Sequence, residues 1–370
     1  MRHPNSRLCS VPLPIGIAVL GLVPALLWMP SGLPAQEAPM DTISDSGLIY
    51  AVGADLSFLK AAEDRGVRFR DGGVVKPGLE IFRDHGYDWI RLRIFHTPTE
   101  LPNDLEYTIA LAREAKALGY RFLLDYHYAD GWADPQKQPT PAAWDTTDVA
   151  VLADSVKAWT AHTIRAFREA GVMPEMVQIG NEVRNGMLWP LGRLPENWDN
   201  FARLFEAGLE GIREGRGPAP MPRIMLHYDN GADTEGAGAF FARFATYGIP
   251  YDVIGYSYYP WWHGNLIELR DNLLATLERF PDKDIILVEA GYRPYVYEET
   301  GRVPPYPADA PGGPRKAFLE AVNETLLSIP DRRIKGIFWW EPASACDRDY
   351  FDADCNARPV ITVFDHYRRR

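Results

Sequence analysis

The sequence predicts an α/β protein built as a single (β/α)8 TIM barrel. Eight short apolar segments rich in β-branched residues alternate with longer segments of helical periodicity. Such alternation is typical of parallel strands joined by right-handed crossovers, and eight units over about 320 residues fit one barrel. An open doubly wound sheet is the alternative, but it usually carries a glycine-rich loop after its first strand. Residues 53–57 do not form such a loop, and no linker indicates a second domain.

The predicted strands can be placed in order along the chain. They are residues 50–55, 89–95, 121–127, 176–182, 223–229, 253–259, 285–289 and 336–341. Between the second and third strands, apolar residues at helical spacing predict a helix over residues 105–118, with Asp104 as its N-cap. Glycines such as Gly119 and Gly171 precede strands and indicate helix ends, since glycine adopts the left-handed conformation at little cost.

The composition excludes several classes of protein. With 46% hydrophobic residues, the chain is too apolar to be disordered. A net charge of −11 argues against nucleic-acid binding, which requires a basic face to neutralise phosphates. Three cysteines cannot hold together 370 residues, so a hydrophobic core must stabilise the fold.

The N-terminal segment differs from the rest of the chain. Residues 1–35 begin with Arg2 and Arg7, continue with an apolar run broken by prolines, and end in small residues before Gln36. This pattern predicts a secretory signal peptide, leaving residues 36–370 as the barrel domain. A membrane anchor is the alternative. We expect a secreted or periplasmic protein without a membrane span after cleavage. In such an oxidising compartment Cys346 and Cys355 form either a disulfide or two free thiols.

Polar residues follow the predicted strands at their carboxyl ends, where the active sites of barrel enzymes lie. Side chains alternate along a strand, so we expect Arg91 and Arg93, and likewise Asp125 and His127, to point together into the barrel mouth. A charged residue at the end of one strand would indicate only a side chain exposed to solvent. Polar residues at the ends of seven consecutive strands indicate a shared pocket. The candidate substrate-binding residues are Arg91, Arg93, Asp125, His127, Trp132, Asn181, His227, Asp229, Tyr258, Trp261 and Trp340.

Two glutamates provide the chemistry that such a pocket needs. Glu182 and Glu289 end the fourth and seventh predicted strands, on opposite sides of the barrel mouth. Cleavage of a glycosidic bond uses one carboxylic acid to protonate the leaving oxygen and one carboxylate to attack or stabilise the sugar cation. A cation such as Arg91 would keep Glu289 ionised, while a less charged setting would keep the proton on Glu182. Asn181 is a candidate donor to the neighbouring sugar hydroxyl.

Aromatic residues are more numerous than a core requires. The chain has 11 tryptophans and 18 tyrosines. Five of the tryptophans fall at or just beyond strand ends, namely Trp132, Trp189, Trp261, Trp262 and Trp340. Their flat faces suit stacking against the apolar faces of sugar rings, so the sequence predicts a polysaccharide cleft.

Short motifs recur near the predicted strand ends along almost the whole barrel domain. They are GAD at 53–55, RLR at 91–93, DYH at 125–127, DGWADP at 130–135, IGNEV at 179–183, GMLWP at 186–190, IMLH at 224–227, YSYYP at 256–260, VE at 288–289 and WWEP at 339–342. With these motifs in this order, residues from about 52 to 364 resemble glycoside hydrolase family 53, the endo-β-1,4-galactanases.

The resemblance implies a retaining mechanism with Glu182 as acid/base and Glu289 as nucleophile. It implies that the subsite at the cleaved bond is lined by Asn181, His127, Arg91, Arg93, Tyr258 and Trp340. The implied substrate is the β-1,4-galactan of type I arabinogalactan, a pectin side chain. We expect a monomer without nucleic-acid partners.

No cofactor or metal is predicted. Some bacterial members bind calcium in a loop after strand 7, but residues 293–314 lack evenly spaced oxygen ligands. The acidic run 347–354 lacks the glycine and terminal glutamate of an EF-hand. His127 and His227 would suit a metal-dependent hydrolase, but the first strand has no His-x-His pair.

Two other functions stay open. A mannanase or glucanase of the same clan would share the strand-end residues around Glu182. A carbohydrate-binding barrel without activity would be favoured by loss of either glutamate, but both are present.

Overall fold

The computed structural model describes residues 50–367, in which eight parallel strands close into a barrel. The barrel strands are β1 (Ala51–Asp55), β2 (Trp89–Ile94), β3 (Arg121–Tyr126), β4 (Met176–Ile179), β5 (Arg223–Tyr228), β6 (Val253–Tyr258), β7 (Asp284–Ala290) and β8 (Ile334–Trp340). Each strand pairs with its sequence neighbours, and β1 pairs with both β2 and β8. The predicted (β/α)8 fold is therefore confirmed.

Helices connect the strands. They are α1 (Leu59–Asp64), α2 (Gly78–Asp84), α3 (Leu105–Ala117), α4 (Val149–Glu169), α5 (Trp198–Gly215), α6 (Thr234–Ala245), α7 (Pro260–His263), α8 (Leu266–Arg279), α9 (Pro294–Glu299) and α10 (Pro314–Leu327). Short 3-10 segments are Val183–Asn185, Pro330–Arg332 and Pro359–Tyr367, and a small hairpin pairs Arg70–Asp71 with Val74–Val75. Helix α3 begins as predicted, with the Asp104 carboxylate accepting from the Tyr107 N–H at 2.8 Å.

The barrel interior changes from apolar to polar along each strand. Its lower part is one cluster of buried side chains to which every strand contributes: Ala51, Trp89, Leu123, Met176, Met225, Val253, Ile286, Val288 and Phe338. Because side chains alternate, the next inward position on several strands is polar: Asp125 follows Leu123, and His227 follows Met225. The apolar plug thus supports a polar layer at the carboxyl end.

Strand β4 ends earlier than predicted. The prediction placed residues 176–182 in the strand, whereas β4 stops at Ile179. Gly180 has a φ of +79° and Glu182 has a φ of +49°, and neither value is compatible with a strand. The chain then enters the 3-10 segment Val183–Asn185. Glu182 therefore lies on a tight turn above the strand.

A disulfide joins Cys346 and Cys355 in the segment after β8. The aspartates of this segment have partners within the protein. Asp347 pairs with Arg358 at 2.9 Å, and the Asp352 carboxylate accepts from the Asn356 N–H at 2.8 Å. They therefore stabilise the segment.

The N-terminal predictions lie outside the described residues. This applies to the signal peptide over residues 1–35 and to its alternative, the membrane anchor. Within residues 50–367, none of the helices combines the length and the apolar character needed to cross a bilayer.

Candidate active site

A pocket of about 600 Å³ opens at the carboxyl end of the barrel. It is formed by residues on or just beyond the seven strands β2 to β8, as expected for a barrel enzyme. The predicted residues that line it are Arg91, His127, Trp132, Asn181, Glu182, Asp229, Trp261, Glu289 and Trp340. The pocket wall also includes Trp262, one of the tryptophans predicted to line the cleft. Four further residues of the wall were not predicted, namely Tyr259, Arg184, His263 and Arg293.

Glu289 is held in the pocket by two donors. Its carboxylate lies at the end of β7 and is 5% exposed. Arg91 Nη1 is 2.8 Å from Oε1, and the Tyr259 hydroxyl donates to Oε2 at 2.8 Å. Both contacts fix the orientation of the carboxylate, because each places a hydrogen-bond donor against one of its oxygens.

Glu182 has a contrasting environment. Its side chain is half-buried, and its Oε1 accepts from the Ser257 hydroxyl at 2.7 Å. Burial, followed by the negative charges of Glu289 and Asp229, holds the pKa of Glu182 well above its ordinary value. Glu182 therefore keeps a proton at a pH at which an ordinary glutamate is ionised. Oxygens of the Glu182 and Glu289 carboxyls lie within 4.8 Å of each other.

Arg91 is the centre of a buried ionic network. Besides Glu289, it contacts Asp55 and Asp125, each at 2.9 Å. Its Nη2 also donates to Gln178 at 3.1 Å and to Asn181 at 3.0 Å. Arg91 is 1% exposed, so its charge requires these partners. The network fixes the guanidinium and, through it, the carboxylate of Glu289.

Arg93 lies beneath the pocket wall. Its Nη2 pairs with Asp55 at 3.0 Å and with Glu341 at 2.7 Å. Its guanidinium lies 4.6 Å from the Trp132 ring centroid and 6.0 Å from that of Trp340. Arg93 was predicted to contact substrate, but it is 1% exposed and does not line the pocket. It supports the two tryptophans from below.

Asp55 and Glu341 both contact Arg93, but their pKa values are shifted in opposite directions. Burial opposes the ionisation of Asp55, but Arg93 and Arg91 together hold its pKa below the ordinary value. Burial raises the pKa of Glu341 well above the ordinary value, despite Arg93. Asp55 is therefore the carboxyl of the pair that ionises more readily.

His127 and Asp125 connect strand β3 to the turn that holds Asn181. His127 Nδ1 accepts from the Ala133 N–H at 3.1 Å, so its Nε2 is the protonated nitrogen and faces Asp125 Oδ2 at 3.2 Å. The Ala133 carbonyl accepts from Asn181 Nδ2 at 2.9 Å. Asp125 was predicted to bind substrate, but it is fully buried and lies beneath the pocket rather than in its wall.

His227 is also fully buried rather than exposed to substrate. Its Nδ1 lies 3.3 Å from the Glu182 N–H donor, and its Nε2 lies 2.9 Å from the Ser257 hydroxyl. Burial, followed by Arg91 and His127, holds the pKa of His227 well below its ordinary value, so the ring is neutral. The predicted contact of His227 with substrate is therefore replaced by contacts with Glu182 and Ser257.

One group in residues 50–367 has the spacing of a metal site, namely Glu182, His227 and Glu289. Its ligand atoms do not suit a metal. Both nitrogens of His227 already contact protein groups, and Arg91 occupies Glu289 Oε1.

Tyr258 was predicted to bind substrate, but it does not line the pocket. Its hydroxyl donates to the Gly264 carbonyl at 3.0 Å, and its ring stacks on Phe318 outside the barrel. Because side chains alternate along β6, Ser257 and Tyr259 face the interior instead. Tyr259 occupies the position next to Glu289 that was assigned to its neighbour.

The rim of the pocket combines charge and aromatic surface. Asp229 Oδ2 pairs with Arg184 at 3.0 Å, and burial raises the pKa of Asp229 to about 6 although Arg184 opposes this shift. Trp262 is 69% exposed and Trp261 is buried beside it. Trp189 lies elsewhere, with its ring against Arg193, and does not line the pocket.

Alternation along the strands could have identified two further residues. Gln178 lies two positions after Met176, which belongs to the interior cluster, and its Nε2 donates to Asp125 at 2.6 Å. Ser257 lies four positions after Val253, another interior residue. Polarity alone does not distinguish such residues from ordinary buried ones.

The chain is similar in sequence to known proteins over nearly the whole barrel. The sequence profile of glycosyl hydrolase family 53 matches residues 51–366. The arabinogalactan endo-β-1,4-galactanase A of Aspergillus niger is 32% identical over 352 residues, which cover 90% of this chain and 99% of that protein. An uncharacterized protein of Niallia circulans, from the 5′ region of bgaB, is 36% identical over 313 residues, covering 80% and 84%.

A solved structure is similar over the same range. It comes from work on two fungal β-1,4-galactanases and aligns with a TM-score of 0.76 at 30% sequence identity. The alignment covers 86% of this chain and 99% of that chain.

Proposed function

The chain belongs to glycosyl hydrolase family 53, and we propose that this endo-β-1,4-galactanase is secreted and cleaves the β-1,4-galactan of type I arabinogalactan with retention of configuration. Its substrate is a polysaccharide, and its two catalytic carboxyls are Glu182 and Glu289. The mature enzyme comprises residues 36–370 and acts as a monomer.

The observation that supports this mechanism best is the pairing of two unlike carboxyls. Their oxygens approach within 4.8 Å, which fits the separation of about 5–5.5 Å typical of retaining enzymes. An inverting enzyme requires about 6.5–9.5 Å, to make room for a water molecule between carboxyl and sugar. The raised pKa of Glu182 and the donors around Glu289 assign acid and nucleophile respectively.

In the first step the protonated Glu182 gives its proton to the glycosidic oxygen. The bond between that oxygen and the anomeric carbon breaks, while a carboxylate oxygen of Glu289 forms a bond to the same carbon. Arg91 and Tyr259 hold the Glu289 carboxylate in position for the attack.

In the second step Glu182 acts as a base. It takes a proton from water, the water oxygen bonds to the anomeric carbon, and the bond to Glu289 breaks. Two inversions at one carbon give net retention. Glu182 returns to its protonated state, ready for the next bond.

The remaining pocket residues bind the sugar rings. Trp132, Trp340 and Trp262 offer flat faces for stacking. Asn181 and His127 border the cleaved bond, and their fixed hydrogen bonds to Ala133 hold them in place. Asp229 is a further polar contact for substrate hydroxyls.

Hydrolysis of galactan, mannan and cellulose by the wild type and two variants tests the proposal. We expect galacto-oligosaccharides from galactan alone. Glu289→Gln should lose at least about 1,000-fold in kcat, because the nucleophile is gone. Glu182→Gln should lose about 100- to 10,000-fold. Release of manno- or gluco-oligosaccharides instead would favour another specificity within the clan, and full activity of Glu289→Gln would overturn the mechanism.

Secretion rests on the predicted signal peptide and fits the disulfide between Cys346 and Cys355. Sequencing the N-terminus of exported protein tests it. We expect the mature chain to begin at Gln36, and a retained N-terminus in a membrane fraction would favour the anchor.

A further inference from the structure

A closed circuit of hydrogen bonds begins and ends on Glu182. The Glu182 N–H donor lies 3.3 Å from His227 Nδ1. His227 Nε2 lies 2.9 Å from Ser257 Oγ, and Ser257 Oγ donates to Glu182 Oε1 at 2.7 Å. His227 and Ser257 are both fully buried. The circuit therefore fixes both the backbone and the side chain of one residue.

The hydrogen positions of this circuit follow from its partners. Asn181 Oδ1 also lies near His227 Nδ1, at 3.2 Å, but that oxygen already accepts from Arg91 and Gln178. A carbonyl oxygen has two lone pairs, so it does not require a third donor. His227 Nδ1 is thus the acceptor for the Glu182 N–H, and the neutral ring carries its proton on Nε2. That proton is donated to Ser257, whose own hydroxyl proton is directed at Glu182.

We propose that His227 and Ser257 are positioning residues that commit Oε1 of Glu182 to the protein and leave Oε2 as the oxygen that transfers the proton. Among residues 50–367, Ser257 is the hydrogen-bond donor to this carboxyl. Glu182 lines the pocket, so with Oε1 committed to Ser257 the other oxygen is the one left for the substrate. The inference rests on the proposed role of Glu182 as acid/base.

The proton balance of the reaction is consistent with this arrangement. Oε2–H protonates the leaving oxygen as the glycosidic bond breaks and the bond to Glu289 forms. The carboxylate left behind is stabilised at Oε1 by the Ser257 hydroxyl. In the second step Oε2 removes the proton from water, whose oxygen displaces Glu289. The circuit itself exchanges no proton with the substrate.

Other charged groups also shift the pKa of Glu182, and the variants that test the proposal must leave these groups unchanged. Glu289 on β7 and Asp229 after β5 raise the pKa of Glu182, whereas Arg91 on β2 and the Ser257 hydroxyl on β6 lower it. Tyr259 is a further titratable group that faces this carboxyl. Removing the Ser257 hydroxyl should therefore raise the pKa of Glu182 further.

The pH dependence of kcat/KM for Ser257→Ala tests the proposal. On galacto-oligosaccharides we expect the basic limb to move up by about one pH unit and kcat/KM at its optimum to fall about tenfold. An aryl galacto-oligosaccharide with a dinitrophenolate leaving group needs no acid, so its kcat/KM should change less than twofold. A basic limb in the wild-type position and equal losses on both substrates would overturn the proposal.

A second variant keeps the test decisive if Ser257→Ala folds poorly. His227→Asn keeps a carbonyl oxygen near the Nδ1 position but has no atom at Nε2. It should shift the basic limb in the same direction by a smaller amount, and the double variant should shift it no further than Ser257→Ala does. Additive shifts would contradict a shared circuit.

Two controls separate positioning from stability and from the proposed function. Thr276→Val removes the hydroxyl that contacts Tyr256 at 2.9 Å on the outer side of β6, and should leave the basic limb unchanged. Glu182→Gln is assayed in parallel on galactan. If that variant keeps full activity, the proposed function fails; if it is inactive while Ser257→Ala keeps the wild-type pH profile, only the present inference fails.

Discussion

At the scale of single residues, the site depends on the different environments of two glutamates. The Glu289 carboxylate accepts hydrogen bonds from Arg91 and Tyr259. Glu182 accepts one hydrogen bond, from the Ser257 hydroxyl, and the negative charges of Glu289 and Asp229 act on it. The two side chains have the same chemistry in water. Their assignment as nucleophile and acid therefore depends on neighbours contributed by other strands.

Tyr259→Phe tests the support of the nucleophile. The variant removes a buried hydrogen bond to the Glu289 carboxylate, so we expect kcat/KM to fall about 10- to 100-fold. Tyr258→Phe is the matched control, because the adjacent hydroxyl contacts the Gly264 carbonyl outside the pocket. Steady-state kinetics of both variants show whether the Tyr259 hydroxyl supports Glu289. Equal losses would place Tyr258, and not Tyr259 alone, at the site.

Asp229→Asn tests the cost of burying a carboxylate. The pKa of Asp229 is about 6 in the folded protein and about 4 in an unfolded chain, so the folded state binds the extra proton between these values. The wild type should therefore lose stability relative to Asp229→Asn as pH rises from about 4 to 6, by on the order of 2–3 kcal/mol. Urea unfolding at pH 4 and pH 7 measures this difference. A pH-independent difference would contradict the raised pKa.

At the scale of elements, the alternation of strand and helix patterns and the capping residues are the features from which the sequence predicts the structure correctly. Eight strands and the Asp104 cap of α3 follow from local patterns. The errors lie at the strand ends, where local patterns are weakest. Tyr258 and Tyr259 are chemically equivalent in sequence, and only the register of β6 determines which one faces Glu289.

The sequence also does not predict which inward-facing residues are buried beneath the pocket and which reach its surface. Arg93, Asp125 and His227 lie on inward positions as predicted, but they form a layer beneath the pocket rather than its surface. Depth along a strand depends on the tilt and stagger of the barrel strands, which no single segment specifies. Inward direction is thus predictable, whereas contact with solvent is not.

Gly180→Ala tests the turn that carries Glu182. Gly180 has a φ of +79°, and an added Cβ would lie 2.7 Å from Val183 Cγ1. We expect a loss of stability exceeding about 1–2 kcal/mol, together with a fall in kcat, since relief of the clash displaces Glu182. Gly171→Ala is the control, with a φ of +75° and nothing within 4 Å of its added Cβ. Thermal unfolding and galactan hydrolysis should show that only Gly180→Ala loses activity beyond its loss of stability.

At the scale of the whole molecule, the barrel separates stability from function. An apolar cluster with a residue from every strand fills the lower part, and a charged layer centred on Arg91 and Arg93 lies above it. The pocket is built on this layer from residues at the ends of the strands and in the loops that follow them. Glu289 thus rests on a buried ionic layer, whereas Trp262 on the rim is 69% exposed.

The central claim is retention by a double displacement between Glu182 and Glu289, and the anomeric configuration of the first product tests it most directly. Proton NMR during early hydrolysis of galacto-oligosaccharides distinguishes the α and β reducing ends before mutarotation. We predict that the β-anomer appears first and then equilibrates. Initial release of the α-anomer would show inversion and contradict the account.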